Sequence, residues 1–287
     1  MSLDPRLNAF RPDLADARLE KHVAAERFVD GEAREIVAAA TAVRKAPRGD
    51  AARLTEALLG EAVNVFERQG DWAWVQLVAD GYVGYVEADA LGEVGPQATH
   101  RIAVPLTHRY PAADLKSEPS WPAYLETRVA VTGEDGPWSR LAGGGHVYSR
   151  HLAPLKVHAA DFVSVAEGFL GVPYLWGGKT FAGLDCSGLV QVALAAAGAA
   201  APRDTDMQER ALGEALAEGT KLKRGDLVFW KGHVGIMLDG ARLLHANGHH
   251  MQVVIEPLAE ARARIAAAGF PVTSIRRLIL FARHARP

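Results

Sequence analysis

A chain of 287 residues with one cysteine, Cys186, cannot close an intrachain disulfide. No pair of Cys and His ligands shows structural-zinc spacing either, and nothing requires an oxidising compartment. A surplus of charge of one sign is also missing. Against 32 Lys and Arg stand 34 Asp and Glu, a formal net charge of -2, which argues against a nucleic-acid partner or a membrane surface. The first twenty residues lack a continuous apolar run, because Asp4, Arg6, Arg11, Asp13, Asp16 and Arg18 interrupt it. Neither a secretory core nor a membrane span fits there, so the expected location is cytoplasmic. Apolar residues are abundant, 49% of the chain, and at this length they suit two or three domains with separate cores.

Shifts in pattern divide the chain into an arm over 1–34, small barrels over 35–96 and 97–157, and a last domain over 158–287. The arm is polar and partly helical in pattern, with Arg11-Pro12-Asp13 as a helix start. Short β-branched and aromatic runs then alternate with glycine turns, as in Ala62–Phe66, Trp72–Leu77 and Tyr82–Val86. A weaker copy follows at Arg128–Thr132 and Trp138–Leu141, an internal repeat about sixty residues apart, with Arg109–Pro122 as an irregular insertion. From His158 the order becomes helices first and an antiparallel sheet after, an α+β arrangement. Its helices are expected at Ala160–Leu170, after Asp185, and after a capping box at Thr205-Asp206-Met207-Gln208.

Cys186 sits in Gly183-Leu184-Asp185-Cys186-Ser187-Gly188, followed by an Ala/Val/Leu-rich stretch to Gly198. Asp185 as N-cap and Gly198 as C-terminal stop put the thiol at the positive end of a helix, where a thiolate is favoured. A packed core thiol is the competing reading. Two histidines supply context, His233 and His245, on apolar runs flanking Asp239-Gly240, a hairpin signal. A three-residue turn Leu238-Asp239-Gly240, with Gly240 left-handed, pairs Met237 with Ala241 and sets His233 opposite His245 on one face. A two-residue turn sends the rings to opposite faces. In the first case one imidazole can act as base to the thiol while the other fixes its tautomer.

Gly178-Lys179-Thr180 is not a phosphate loop, since position 173 is Pro and no helix starts directly after Thr180. His245, His249 and His250 have no carboxylate or thiolate at a recognised ligand spacing, so no metal is expected.

The stretches GVPYLWGGKTFAGLDCSGLVQ, PRDTDMQ, KRGDLVFWKGHVGIM and RLLHANG, which cover most of residues 161–255, resemble the NlpC-type, papain-like cysteine peptidases that cut cell-wall peptides. The upstream barrels resemble bacterial SH3-like domains. The fold implied is α+β, a papain-like NlpC-type catalytic domain preceded by two small all-β SH3-like barrels. By this resemblance Cys186 is the nucleophile, His233 the general base and His245 the third, polar member. Tyr174 helps bind the developing oxyanion beside the Cys186 N–H.

The branch with SH3-like domains resembles the γ-D-glutamyl-L-diamino acid endopeptidases, which accept muropeptides with a free N-terminal L-alanine. Asp204 and Thr205 match its acidic-hydroxyl pair for the substrate ammonium. Thr stands where Ser is commoner, and Thr205 is also a natural helix cap. Asp185, Ser187, Trp176, Tyr82 and Tyr85 are expected as further substrate contacts; the two tyrosines fall on opposite faces of one strand. The resemblance implies a substrate of the L-Ala-γ-D-Glu-diamino acid type, a role in cell-wall recycling, and no metal or organic cofactor. The diamino acid and the oligomeric state stay open. Three rivals fit the same residues: a secreted wall lysin anchored by its barrels, a non-catalytic wall-peptide binder, and a papain-like amidase or acyltransferase.

Overall fold

The computed structural model describes residues 3–278. The chain forms two compact units, Met1–His158 with Trp176–Phe181, and Ala159–Leu175 with Ala182–Pro287. No helix among the described residues is long and apolar enough to cross a membrane.

The first unit is built from strands and single helical turns. Seven antiparallel strands run in the order 53–58, 40–44, 83–87, 72–77, 62–69, 32–36 and 91–92. Alternation drives this: Val63 and Val65 turn into a core with Ile36, Val43, Val75, Leu77 and Val86, while Asn64 between them does not. The barrel's strands begin at Glu32, a few residues ahead of the expected boundary at 35. The expected helix at Arg11-Pro12-Asp13 does not form. Leu14–Asp16 is instead a strand pairing in parallel with Arg27–Val29, and the Asp16 carboxylate then caps one 3-10 turn, Ala17–Leu19. Burial explains the difference. Ala9 and Leu14 pack on Phe66, Trp74 and Val83, so tertiary contacts outweigh local helical pattern.

The internal repeat is visible as an element order. Strand, strand, strand, 3-10 turn, strand runs from Ala62 to Gly92 and again from Val131 to Pro154. The second copy is split among short sheets around Ile102, Ala123, Val129, Leu141 and Val147.

In the second unit, helices α1 (Phe162–Glu167), α2 (Cys186–Ala196) and α3 (Thr205–Ala211) precede a sheet. Its strands are β1 (Asp226–Trp230), β2 (His233–Met237), β3 (Arg242–Asn247), β4 (Gln252–Pro257) and β5 (Val272–Arg277). The order is β5-β1-β2-β3-β4, with Glu214–Ala215 at the β5 edge. Helix α1 is shorter than expected; Asp161 starts it, accepting from the Val163 and Ser164 N–H groups. Helix α2 is buried on nearly every side, which is why its sequence is apolar all round, and Gly198 at φ +79 ends it.

Helix α4 (Leu258–Ala267) covers one face of the sheet. Its Leu258 and Ala261 pack with Val228, Trp230, Met237 and Leu243. Side chains two apart along a strand share a face, so His233 lies on the Met237 side of β2 and His245 on the Leu243 side of β3. Both rings therefore share the apolar face under α4. Gly235 between them is needed as glycine: a Cβ there would lie 2.7 Å from Leu243 Cδ1.

Candidate active site

Asp185 caps α2 and Cys186 is the first residue of the helix; Asp185 Oδ1 accepts the Gly188 N–H at 2.7 Å. The carboxylate is fixed by Arg203, whose Nη2 donates to Oδ2 at 2.6 Å and Nη1 to Oδ1 at 2.9 Å. Arg203 is 1% exposed; burial works against its charge, but the Asp185 carboxylate holds it protonated. Cys186 Sγ lies 3.8 Å from Thr205 Oγ1 and 4.0 Å from the Gly232 carbonyl, against the start of β2. Burial, followed by the negative charge of Asp185, pushes the thiol up to about 11 despite hydrogen bonds from the Val234 N–H and Thr205. This corrects the expectation of a helix-stabilised thiolate. Burial and the Asp185 charge work against the thiolate that the helix terminus favours. Burial thus favours the thiol over the thiolate.

The two histidines stand on the hairpin. Its loop has three residues, but they are Asp239-Gly240-Ala241, and Gly240 is not left-handed. Asp239 Oδ1 accepts the Ala241 and Arg242 N–H groups at 2.8 and 2.9 Å, and Leu238 N–H bonds the Arg242 carbonyl at 2.9 Å. The ladder pairs Met237 with Leu243 and Ile236 with Leu244, so Gly235, not His233, falls across from His245. The register is two residues from the expected one. A two-residue slip keeps the face, and the rings meet diagonally, His233 Nε2 to His245 Nδ1 at 2.8 Å.

Behind His245 stand groups that the sequence reading did not single out. Glu256 on β4 lies 2.6 Å from His245 Nε2 through Oε1, and Arg264 on α4 donates to both Glu256 oxygens, at 2.5 and 2.7 Å. Asn247 Nδ2 lies 2.9 Å from the same Nε2, while its Oδ1 accepts the His250 N–H. His245 is fully buried. Burial lowers His233 to about 3, helped by the adjacent His245, and lowers His245 to about 4 against the opposing Glu256 charge. Burial would raise Glu256, but hydrogen bonds from Arg264 and His245 outweigh it and hold the carboxyl near 2. Glu256 was findable only as a carboxylate at matching parity one strand beyond His245; its link to Arg264 needs the helix to fold back.

Tyr174 is half-buried beside this group, its hydroxyl held above its ordinary value by burial and then by Cys186 and Asp185. The expected capping box is replaced. Asp204 occupies the N-cap position of α3 without a side-chain cap bond; Thr205 follows as the first helical residue, and Gln208 donates to the Ser187 and Pro202 carbonyls. Asp204 is half-buried and close enough to favour the charge on Arg203.

Asp185 and Ser187, expected as substrate contacts, are both buried and bonded to Arg203, whose Nη1 reaches Ser187 Oγ at 2.9 Å. Tyr82 is also corrected, because it is 3% exposed inside the barrel core of the first unit. Tyr85, in that unit too, accepts from Arg11 Nη1 at 2.7 Å. Trp176 belongs to the same unit and is 66% exposed. The structure thus gathers Cys186, His233, His245, Tyr174 and Thr205 in one unit, and leaves Tyr82, Tyr85 and Trp176 in the other. No group of three or more His, Cys, Asp or Glu among the described residues is arranged to hold a metal ion.

Comparison with known proteins adds to this geometry. A family model described as NlpC/P60 family matches residues 171–266, and one described as bacterial dipeptidyl-peptidase Sh3 domain matches 43–91. A γ-D-glutamyl-L-lysine dipeptidyl-peptidase of Bacillus subtilis (strain 168) is 30% identical over 232 residues, 72% of this chain and 76% of the relative. One of the same name from Bacillus cereus is 27% identical over 71% of this chain and 70% of the relative. The crystal structure of an NlpC/P60 family protein from Bacillus cereus aligns with a TM-score of 0.73 at 22% identity, covering 87% of this chain and all of that one.

Proposed function

The chain belongs to the NlpC/P60 family, and from that premise we propose that it is a cysteine endopeptidase cleaving the γ-D-glutamyl-L-diamino acid bond of cell-wall peptides with a free N-terminal L-alanine. Its fold is an α+β NlpC/P60 domain preceded by SH3-like barrels, and it is a peptidase of peptidoglycan.

One observation carries the chemistry: His233 Nε2 and His245 Nδ1 lie 2.8 Å apart, and the Cys186 sulfur, at the head of a helix, lies 4.0 Å from the Gly232 carbonyl, next to His233 in the chain. His233 takes the thiol proton as Sγ attacks the γ-carbonyl carbon, which becomes tetrahedral. In this proposal the Cys186 N–H, unpaired within the helix, and the Tyr174 hydroxyl are the donors for the developing oxyanion. His233 then gives its proton to the leaving amine of the diamino acid, the C–N bond breaks and a thioester remains. Water, deprotonated by His233, attacks that carbonyl; the C–S bond breaks, the sulfur regains that proton from His233, and the acyl dipeptide leaves as its γ-carboxylic acid, which ionises to solvent.

Asp204 is the proposed partner of the substrate ammonium, with Thr205 beside the sulfur. The relatives named for the γ-D-glutamyl-L-lysine bond support the choice of bond. A place in the recycling of short peptides, in the cytoplasm, completes the proposal; vigorous digestion of intact sacculi would count against it. Mass spectrometry of L-Ala-γ-D-Glu-diamino acid peptides should show cleavage by the wild type, none by Cys186→Ala, and none of N-acetylated peptide. Asp204→Ala should lose the preference for the free amine. Equal turnover of blocked and free peptides by the wild type would overturn the specificity.

A further inference from the structure

We infer that Glu256, clamped by Arg264, is a positioning residue that sets the tautomers of both imidazoles and thereby leaves His233 Nδ1 bare to receive the thiol proton. The inference rests on the proposed roles of Cys186 and His233.

The argument is one of donors and acceptors. An ionised carboxylate can only accept, so at 2.6 Å His245 Nε2 must carry a hydrogen. Neutral His245 then has a lone pair on Nδ1, and His233 Nε2, 2.8 Å away, must be the donor. With its single hydrogen on Nε2, neutral His233 presents Nδ1 as the acceptor. Asn247 Nδ2, turned inward because its oxygen accepts the His250 N–H, also approaches His245 Nε2 at 2.9 Å and would favour a bare Nε2, but a neutral amide donor is outweighed by an ionised carboxylate at 2.6 Å. His245 is 0% exposed, so no solvent competes. Arg264 holds both Glu256 oxygens, keeping the group charged and aimed. When the thiol proton moves to His233 Nδ1, the resulting imidazolium donates from Nε2 toward a chain that ends on a fixed negative charge.

The charged and titratable groups around this chain are Arg264 and Glu260 on α4, His250 after β3, and Cys186 and Asp185 at the head of α2. Only Glu256 both accepts from His245 and is ionised.

A plain salt bridge between β4 and α4 would predict nothing about tautomers. In Glu256→Gln the donor-only guanidinium draws the amide oxygen, turning the NH2 toward His245 Nε2. Both rings then reverse, and His233 Nδ1 acquires the hydrogen it should lack. Two measurements test this without peptide substrate, so a wrong substrate assignment would leave them unaffected. Nitrogen-15 NMR of histidine-labelled wild type at neutral pH should show Nε2–H on His233 and His245, and Glu256→Gln should populate the Nδ1–H forms. Because the chain has one thiol, total alkylation by iodoacetamide reports Cys186 alone. It should slow about ten- to a hundredfold in folded Glu256→Gln. An Nδ1–H tautomer on either ring of the wild type, a measurement that needs no variant, would overturn the inference. So would a folded Glu256→Gln protein with wild-type tautomers or wild-type alkylation rate.

Discussion

On the helix side of the site Asp185 and Arg203 hold the cap on which Cys186 stands; on the sheet side Glu256 and Arg264 hold the histidines. Both are carboxylate–guanidinium pairs touching the machinery, yet their environments give them different work. Arg203 is buried completely and Asp185 has its remaining capacity filled by helix N–H and hydroxyl groups, so that pair fixes backbone. Arg264 is 28% exposed at its side chain, and Glu256 keeps one oxygen shared with an imidazole, so that pair fixes protons. The Asp185 charge raises the thiol's proton affinity, and the Glu256 charge raises that of His233. In the proposed proton transfer the two carboxylates pull on opposite ends.

Four outcomes would sharpen or break this contrast. Removing either reacting group should have the largest effect: Cys186→Ala and His233→Gln should each lose about 10⁴-fold or more in kcat with melting temperature little changed. A variant keeping a tenth of wild-type turnover would mean that the pair is not the reacting pair. Next, Arg203→Met should cost about 3–5 kcal/mol in denaturant unfolding because it strands a buried charge, whereas Arg264→Met should cost about 1–2 kcal/mol. Equal losses would erase the distinction between the pairs.

Acid should separate the halves further. His233, His245 and Glu256 all have folded values below their unfolded ones, so the unfolded chain binds each proton at higher pH. Their stabilisation is complete above about pH 6.5 and is lost as pH falls, first through the histidines and, below about pH 4.5, through Glu256. A melting temperature that stays flat from pH 7 to 4 would contradict the buried neutral rings. For Gly235→Ala a loss of about 1–3 kcal/mol is expected, below that of Arg203→Met, since the new methyl meets Leu243. Its kcat should fall with stability, because the displaced side chain neighbours His245.

The helix half of the site was legible because its signals are local. Asp before Cys, small residues after and glycine at the end specify a capped helix without help from elsewhere. The face shared by the two histidines was legible too, since parity survives a two-residue error. The register itself was not, because Asp239 spends its carboxylate on two N–H groups and starts the loop one residue later than a glycine-centred turn would. Glu256 and Arg264 stayed hidden for a different reason. Each looks like an ordinary surface charge until β4 pairs with β3 and α4 folds over the sheet. Thr205 misled in the same way: it reads as a cap, but tertiary packing hands its hydroxyl to the sulfur. In the barrel, alternation alone could not say which of Tyr82 and Tyr85 turns inward; the arm decides, by offering Arg11 to Tyr85.

The seating of Leu243 against Gly235 has a genetic corollary. Because oily residues and proton carriers occupy the same side of one sheet, a selection for heat-sensitive or suppressor alleles should recover changes at Leu243, Met237 and Leu258, positions bearing no functional group at all.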